Sequence, residues 1–205
     1  IPCYYCERQI PRVIEHLEAP LIAKVKLFLI IDNHSDDDTV NAAVQAIHAR
    51  GLDKKFRIIR NARNIGLGGS FKAAFELTRQ QGFSHLCVFH GDGQAHSRDL
   101  LRLVTAAEAD TEFDALLGSR FSDLRQLRDY PLRRQIGNRF FNNLMSLLWR
   151  QPISDIGSGL NVYKVRSFSR QLIDRLPDHI GIDLTLLVNI LEQKMRYRFI
   201  PIHWQ

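Results

Sequence analysis

Apolar residues recur along the chain in two alternating patterns: short continuous runs typical of buried strands, and stretches with one apolar residue every three or four. The short runs predict strands at residues 25–31, 56–60, 86–89, 115–118, 160–163 and 196–204. The helical spacing predicts helices at residues 9–18, 40–47, 71–78, 133–150, 165–176 and 182–193, and a further helix that begins at Ser97. This alternation predicts an α/β fold with a mostly parallel sheet flanked by helices.

Two predicted strands end in an acidic residue, Asp32 and Asp92. Ligands of parallel sheets bind beyond the carboxyl ends of the strands, so both acids are candidates for a binding site. Ser35 and Asp38 have the spacing of a capping box, and we expect them to begin the helix that stops at Gly51.

The segment around Asp92 has the residue types of a metal site. If residues 90–94 are extended, then His90, Asp92 and Gln94 point to the same side. An imidazole, a carboxylate and an amide oxygen at a strand end fit a hard cation such as Mg²⁺ or Mn²⁺. The alternative is that Asp92 forms a turn with its neighbouring glycines.

A glycine-rich turn at residues 64–69 precedes another predicted helix. The dinucleotide pattern G-x-G-x-x-G would need glycine where Phe71 stands, which disfavours hydride transfer. Two interpretations of the turn remain. Its N–H groups could approach an anion at the helix start, or its small residues could serve the packing of that helix.

Composition and charge favour one domain with an anionic partner. The chain has 205 residues, of which 45% are hydrophobic, and a net charge of +6. Much of the excess comes from arginines at positions 120, 125, 128, 133, 134 and 139. This cluster is either a solvated face or a binding surface for a phosphate-bearing partner. Few aromatic residues accompany it, so we expect no nucleic-acid partner.

The cysteines indicate a reducing compartment. Cys3 and Cys6 form a C-x-x-C pair, but a zinc site would need two further ligands in a second pair. We therefore expect reduced, packed cysteines, including Cys87, in a protein that is cytoplasmic or lies at the cytoplasmic face of a membrane. No apolar stretch approaches the ~18 residues of a spanning helix. The chain starts at Ile1 and stops on a strand-like segment, so we expect it to be truncated at both ends.

The predicted helix at residues 133–150 carries an apolar face. We expect this face to pack in the core, the alternative being that it rests at a membrane surface. The apolar residues concerned are Ile136, Phe140, Phe141, Leu144, Leu147, Leu148 and Trp149.

Six short motifs in order resemble those of family 2 glycosyltransferases, most of all the branch of dolichol-phosphate mannosyltransferase and other polyprenyl-phosphate glycosyltransferases. They are Ile1-Pro2-Cys3-Tyr4, the run from Asp32 to Thr39, Arg60-Asn61-x-x-Asn64-x-Gly66-x-Gly68-Gly69, His90-Gly91-Asp92-Gly93-Gln94, Gly118-Ser119-Arg120-Phe121 and Asp155-x-x-Ser158-Gly159. The resemblance covers nearly the whole chain. Tyr5 departs from the usual Asn, Cys6 from a frequent acid, and His90 from the first acid of a D-x-D metal motif.

The resemblance implies a single catalytic domain with the GT-A fold, a mixed and mostly parallel Rossmann-like sheet. Its nucleotide-binding half would span about residues 1–120 and its acceptor half about residues 121–205. The donor would be a nucleotide-diphosphate sugar, and the cofactor Mg²⁺ or Mn²⁺. The implied nucleotide-binding residues are Pro2, Tyr4, Glu7, Asp32 and Gly68. The implied metal ligands are Asp92 and Gln94, with His90 beside them.

The resemblance also implies a lipid-linked phosphate acceptor, most simply a polyprenyl phosphate. Arg120, Arg133 or Arg134, and Ser158 would contact its phosphate, an arrangement that suits the paired hydrogen bonds of arginine. The reaction would be a direct displacement with inversion at the anomeric carbon. A phosphate acceptor needs positioning more than deprotonation, whereas a hydroxyl acceptor would need a base.

Asp155 is the candidate base for a hydroxyl acceptor, and the alternative is that it caps the turn at residues 157–159. Two other functions remain open at this point. One is a non-catalytic domain that binds a nucleotide sugar, and the other is a nucleotidyltransferase, which would release pyrophosphate.

Overall fold

The computed structural model describes residues 1–122 and 132–203, and of Arg134 only the backbone. The strands in these ranges are β1 (Pro2–Cys3), β2 (Phe28–Asp32), β3 (Phe56–Arg60), β4 (His85–Val88), β5 (Ala115–Ser119), β6 (Asn161–Lys164) and β7 (Tyr197–Pro201). The α-helices are α1 (Ile10–Glu15), α2 (Ala19–Lys24), α3 (Thr39–Ala49), α4 (Gly66–Gln80), α5 (Ser97–Ala109), α6 (Leu132–Trp149), α7 (Arg170–Arg175) and α8 (Ile182–Glu192).

The strands form two sheets. The first has the order β1-β2-β3, and all its strands are parallel. The second has the order β4-β6-β5-β7, in which β6 is antiparallel to both neighbours and β5 is parallel to β7. The prediction of a mixed, mostly parallel arrangement flanked by helices is therefore confirmed. The Gly91 N–H donates to the Pro2 carbonyl at 3.1 Å and so joins the edges of the two sheets.

Two apolar clusters hold the helices against the sheets. One buries Ile10 and Ile14 of α1 against Ile30 of β2 and Leu103 of α5. The other buries aromatic and aliphatic residues of α4, β6, α8 and the segment before α7, namely Phe75, Tyr163, Ile190 and Phe168. These positions include many of the apolar residues whose spacing predicted the elements.

The predicted capping box is wrong. Asp38 stands at the N-cap position of α3 but makes no capping hydrogen bond through its side chain. Ser35 lies outside the helix, and its hydroxyl donates to Asp32 Oδ1 at 2.5 Å. The Asp37 carboxylate takes the capping contact, since Asp37 Oδ1 accepts from the Thr39 N–H at 3.2 Å.

Helix α6 has the opposite orientation to the one predicted. Seven of its apolar residues are exposed rather than packed in the core: Leu132 69%, Ile136 61%, Phe140 67%, Phe141 47%, Leu144 38%, Leu147 76% and Leu148 66%. Trp149 does pack against the second apolar cluster, together with Met145, and polar residues share this inward face. Asn142 Nδ2 donates to the Ser154 carbonyl at 2.8 Å, and Ser146 Oγ accepts from the Ile153 N–H at 2.9 Å.

None of the helices in the described ranges combines the length and apolar character that crossing a bilayer requires.

Candidate functional site

The segment after β1 is fastened to the loop after β2. The Tyr5 N–H donates to Ser35 Oγ at 3.0 Å, and the Cys6 N–H donates to Thr39 Oγ1 at 2.8 Å. Glu7 Oε2 accepts from the Asp38 N–H at 3.3 Å. These bonds place Pro2, Tyr4 and Glu7 at the edge where β1 and β2 end.

Two tyrosines project from this segment. Tyr4 and Tyr5 are 48% and 47% exposed, and their rings meet edge to face at 4.5 Å. Tyr5 has a φ of +53°, and its hydroxyl donates to Asp36 Oδ2 at 3.1 Å. That hydrogen bond, with the charge of Asp36, raises the pKa of Tyr5 to about 12. Tyr4 therefore offers an exposed aromatic ring next to the carboxyl end of β1.

Asp32 lies deeper than the sequence predicted. It is fully buried, and it accepts from the Ser35 N–H at 3.1 Å while it forms an ion pair with Arg60 Nε at 3.3 Å. Its carboxylate thus meets protein groups in this structure. Any contact with a base or ribose would have to displace one of these partners.

Asn33 is a connecting residue that the sequence reasoning did not select. Its Oδ1 accepts from the Ile65 N–H at 2.9 Å and from Asn61 Nδ2 at 3.1 Å, and its Nδ2 donates to Asn64 Oδ1 at 2.7 Å. The carboxyl end of β2 is therefore fixed to the glycine-rich turn. Asn33 belongs to the motif that runs from Asp32 to Thr39, but the motif alone gives it no structural role.

Gly68 serves the packing of α4. Its N–H donates to the Asp178 carbonyl at 2.8 Å, and the Gly69 N–H shares the same acceptor at 3.3 Å. A Cβ at position 68 would lie 2.0 Å from the Pro177 carbonyl oxygen. The interpretation of these N–H groups as an anion site is therefore not what the structure shows, because a carbonyl occupies them.

The segment around Asp92 is a turn, which is the second of the two conformations that the sequence left open. Gly93 adopts a φ of +76°, and Asp92 Oδ1 accepts from the Gln94 N–H at 3.0 Å. Within the described residues, no group of three His, Cys, Asp or Glu side chains could hold a metal ion. Asp92 is nevertheless partly exposed at the end of β4, beside Pro2.

His90 is directed toward the second half of the chain. A Cβ at Gly159, which has a φ of +69°, would lie 2.6 Å from His90 Nε2, so the ring packs against that glycine. Burial lowers the pKa of His90, although the nearby Asp92 carboxylate opposes the change. A neutral imidazole therefore connects the Asp92 turn to the loop that follows Asp155.

Arg120 and Asp155 form a buried ion pair. The Nε of Arg120 donates to Asp155 Oδ2 and its Nη2 to Asp155 Oδ1, both at 2.8 Å, and the side chains are only 11% and 1% exposed. Arg120 Nη2 also donates to the Gly157 carbonyl at 2.9 Å, and Asp155 Oδ1 accepts from the Gly157 N–H at 3.2 Å. Of the two interpretations of Asp155, turn capping is the one observed. Both carboxylate oxygens already accept hydrogen bonds, which disfavours Asp155 as a general base.

The other predicted acceptor residues are scattered. Ser158 is buried, and its hydroxyl makes long contacts with Leu160, accepting from its N–H at 3.4 Å. Arg133 is exposed on α6. The side chain of Arg134 lies outside the described residues, as do Arg125 and Arg128. The structure thus brings Arg120 and the loop of Ser158 together but leaves Arg133 on the surface.

Asp183 is a site residue that the sequence reasoning missed. It is partly buried at the start of α8, and its Oδ1 accepts from Asn161 Nδ2 at 3.4 Å. Burial and then the charge of Asp155 raise its pKa to about 6, while Arg120 opposes the rise. A carboxyl group with this pKa exchanges protons near neutral pH, which is a requirement for a general base.

The C-x-x-C pair is packed inside the protein, as expected. Cys3 and Cys6 are 2% and 5% exposed, and all three cysteines are free thiols. Cys3 Sγ lies against Gly91, where an added Cβ would be only 2.4 Å away. The pair therefore supports the turn that carries Asp92.

The arrangement of strands and helices described above is the GT-A fold. The chain belongs to glycosyl transferase family 2, whose family model matches residues 1–172. The protein is thus a glycosyltransferase, as its motifs indicated.

Two of the relatives are named for transfer to a lipid-linked phosphate or for its product. Polyprenol monophosphomannose synthase of Mycolicibacterium smegmatis is 26% identical over 166 residues, which cover 80% of this chain and 60% of that protein. UDP-N-acetylglucosamine–dolichyl-phosphate N-acetylglucosaminyltransferase of Methanococcus voltae is 22% identical, with 88% of this chain and 72% of that protein covered. The chain therefore spans well under the full length of both.

The fold is also that of glucosyl-3-phosphoglycerate synthase from Mycobacterium tuberculosis. The structure of that enzyme with Mn²⁺, UDP and phosphoglyceric acid matches with a TM-score of 0.68 at 16% identity, and the match covers all of this chain and 68% of that one. At this level of identity the comparison establishes the fold.

Proposed function

We propose that this domain transfers a sugar from a nucleotide-diphosphate sugar to a lipid-linked phosphate, with a divalent metal at Asp92. The observation that carries the proposal is the position of the Asp92 turn. It is bonded to Pro2 on the nucleotide side, and His90 links it to the loop of Arg120 and Asp155 on the other side.

The metal assignment rests on the chemistry of the available donors. Asp92 presents a partly exposed carboxylate, which Gln94 holds in place through Oδ1. Mg²⁺ and Mn²⁺ sites in enzymes of nucleotide substrates often use one or two carboxylates and complete their shell with substrate phosphates and water. Asp92 would hold such an ion, and a bound metal would stabilise the charge of the departing nucleoside diphosphate. The related synthase with Mn²⁺ and UDP supports this assignment.

For the acceptor, we propose a polyprenyl phosphate. The names of both curated relatives include a polyprenyl or dolichyl phosphate product or acceptor. In this chain Asp155 fixes the plane of the Arg120 guanidinium, which would position a phosphate without having to remove a proton from it. Exposed Arg133 would add a second positive charge.

The apolar face of α6 fits the same acceptor. We propose that this exposed face, with Arg133 and Arg139 on the same helix, lies at the surface of the membrane that holds the lipid. Exposed apolar side chains at a spacing of four residues are costly in water but favourable at a lipid interface. Asn142, Ser146, Met145 and Trp149 of α6 contact the protein, whereas Ile136, Phe140, Leu147 and Leu148 stay exposed and available.

Transfer to a matched pair of acceptors tests the proposal. Candidate UDP- and GDP-sugars are incubated with a polyprenyl phosphate or with the corresponding polyprenol, and the released nucleotide is identified. We expect a nucleoside diphosphate to be released with the phosphate acceptor and little with the alcohol. Equal use of the alcohol would refute the phosphate acceptor, and release of pyrophosphate would indicate a nucleotidyltransferase.

A further inference from the structure

A cavity lies at the end of the four-stranded sheet where β4 begins, opposite the end that leads to Asp92. Its volume is about 570 Å³, within the range of small-molecule sites. The residues at this end are His85, where β4 begins, and Lys164, where β6 ends, and they pair in register. Because β4 runs from His85 toward His90, this cavity lies at the opposite end of the strand from the proposed transfer site.

The lining of this cavity is positively charged. The described residues of its wall include Arg79, Lys164, Arg166 and Arg170 but no aspartate or glutamate, and Ser84 and Thr111 add hydroxyl groups. The Arg79 Nη2 donates to the Phe168 carbonyl at 2.7 Å, and Arg170 has an exposed ion pair with Asp174 at 3.8 Å. The wall therefore combines several cations with hydrogen-bond donors, as phosphate-binding sites do.

Lys164 is the most informative of these cations because it is buried. It is 7% exposed, its Nζ donates to the Thr111 carbonyl at 2.5 Å, and it lies 5.9 Å from the centre of the Phe113 ring. Asp114 is within electrostatic range, but its carboxylate accepts from Ser167 Oγ at 2.6 Å and from the Arg196 N–H at 2.8 Å. The Asp114 carboxylate offsets part of the charge of this buried ammonium, and an anion in the adjacent cavity would offset it further.

The neighbouring histidine experiences this positive potential. His85 lines the cavity, and burial followed by the charges of Lys164 and Arg166 lowers its pKa. Its Nδ1 lies 2.9 Å from Ser84 Oγ. The pKa of His85 should therefore respond to an anion in the cavity, because the anion would oppose the lowering caused by the two cations.

We propose that this cavity binds a phosphate group, with Lys164 and Arg166 as its principal ligands. The same chemistry would recognise the phosphate of a small soluble ester or the headgroup of an anionic lipid. The site adds a second anion-binding function to the domain, separate from sugar transfer.

The test follows the His85 imidazole by NMR while inorganic phosphate is added to the protein. We expect phosphate to raise the pKa of His85 by about 1, because it neutralises the two nearby cations. Lys164→Met and Arg166→Gln should each weaken phosphate binding about tenfold. Arg57→Gln removes an exposed charge from β3, outside the cavity, and should leave the binding unchanged.

A second arm distinguishes the sources of the phosphate. Glycerol 3-phosphate and vesicles of phosphatidylcholine with phosphatidic acid replace the inorganic ion, and a response to either supports the site and identifies its source. No change of His85 with any of the three probes would overturn the proposal. Binding that Arg166→Gln leaves intact would also overturn it, and this exposed residue can be replaced without disturbing the core.

Discussion

Arg120 and Asp155 form a buried ion pair at the start of the second half of the chain. The pair has bidentate geometry, and Asp155 also accepts from two backbone N–H groups, those of Arg120 and Gly157. A buried ion pair with these additional bonds is costly to break, because removing one partner takes away its charge and several hydrogen bonds together. The pair therefore holds the loop after α6 in one position.

Replacing Asp155 should destabilise the fold strongly. We expect Asp155→Ala to lower the free energy of unfolding by about 3–5 kcal/mol, since it leaves the Arg120 charge buried. Urea unfolding measures the change. The control is Asp174→Ala, which removes an exposed ion pair with Arg170 and should cost under about 1 kcal/mol. Equal losses in the two variants would contradict the assigned role of the buried pair.

Asp183 should make the stability depend on pH. Its pKa in the fold is about 6 against an ordinary value of 3.8, so between about pH 4 and pH 6 the folded chain holds a proton that the unfolded chain has released. The contribution of Asp183 to the free energy of unfolding is therefore fully present below pH 4 and is lost as the pH rises through 6. Asp183→Asn should therefore gain up to about 3 kcal/mol relative to wild type between pH 4 and pH 7.

The comparison for Asp183 is Asp174→Asn, which changes an exposed carboxylate on α7. Chemical denaturation at several pH values gives the difference from wild type for each variant. A constant difference for Asp183→Asn across this pH range would show that its carboxyl group titrates as it does in the unfolded chain.

Single residues also show what the sequence could and could not predict. The position of Asp92 at a strand end was readable because the apolar run before it was continuous. The choice between an extended segment and a turn at Asp92 stayed open, since the flanking glycines allow both backbones. Asp183 was missed because it lies in the first turn of an amphipathic helix, where an acid is ordinary.

At the scale of elements, α4 depends on glycines that admit another part of the chain. Gly68 contacts the backbone of residues 177–178, so the helix and that loop approach closely. Gly68→Ala should destabilise the protein by about 1–3 kcal/mol, because backbone atoms must move. Gly137→Ala on α6, where an added Cβ meets nothing within 4 Å, should instead stabilise it by about 0.5–1 kcal/mol. Thermal unfolding of both variants would detect the opposite signs.

Periodicity predicted that α6 is an amphipathic helix but not which side faces the protein. A stripe of apolar residues fits a core or an external lipid surface equally well. The deciding contacts, from Asn142 and Ser146 to the segment at residues 153–154, are tertiary and leave no periodic signal. By contrast, β3 was predicted with its observed bounds because its apolar run coincides with the strand.

The exposed face of α6 should mediate binding to anionic vesicles. Phe140→Glu with Leu147→Glu should abolish co-flotation with such vesicles, and the free energy of unfolding should change by less than about 0.5 kcal/mol. Val44→Glu is the matched control, because Val44 is 49% exposed on a different helix, α3. Unaltered flotation of the double variant would exclude this face as the membrane contact.

At the scale of the whole molecule, three connections across the chain frame the candidate cleft. Gly91 bonds to Pro2, Asn33 joins β2 to the glycine-rich turn, and His90 packs on Gly159. Five of the six motifs that resemble the family lie in these segments. The division into a nucleotide-binding half and an acceptor half stays a prediction, as do the roles of the residues in each.

The central claim is that Asp92 supports metal-dependent binding of a nucleotide-sugar donor. Calorimetric titration of UDP- and GDP-sugars into the protein, with Mn²⁺ and then with a chelator, measures this directly. We predict binding of one nucleotide class with Mn²⁺, its loss in the chelator, and the same loss in Asp92→Asn with the fold retained. Donor binding that is equal with metal, with chelator and in Asp92→Asn would contradict the claim.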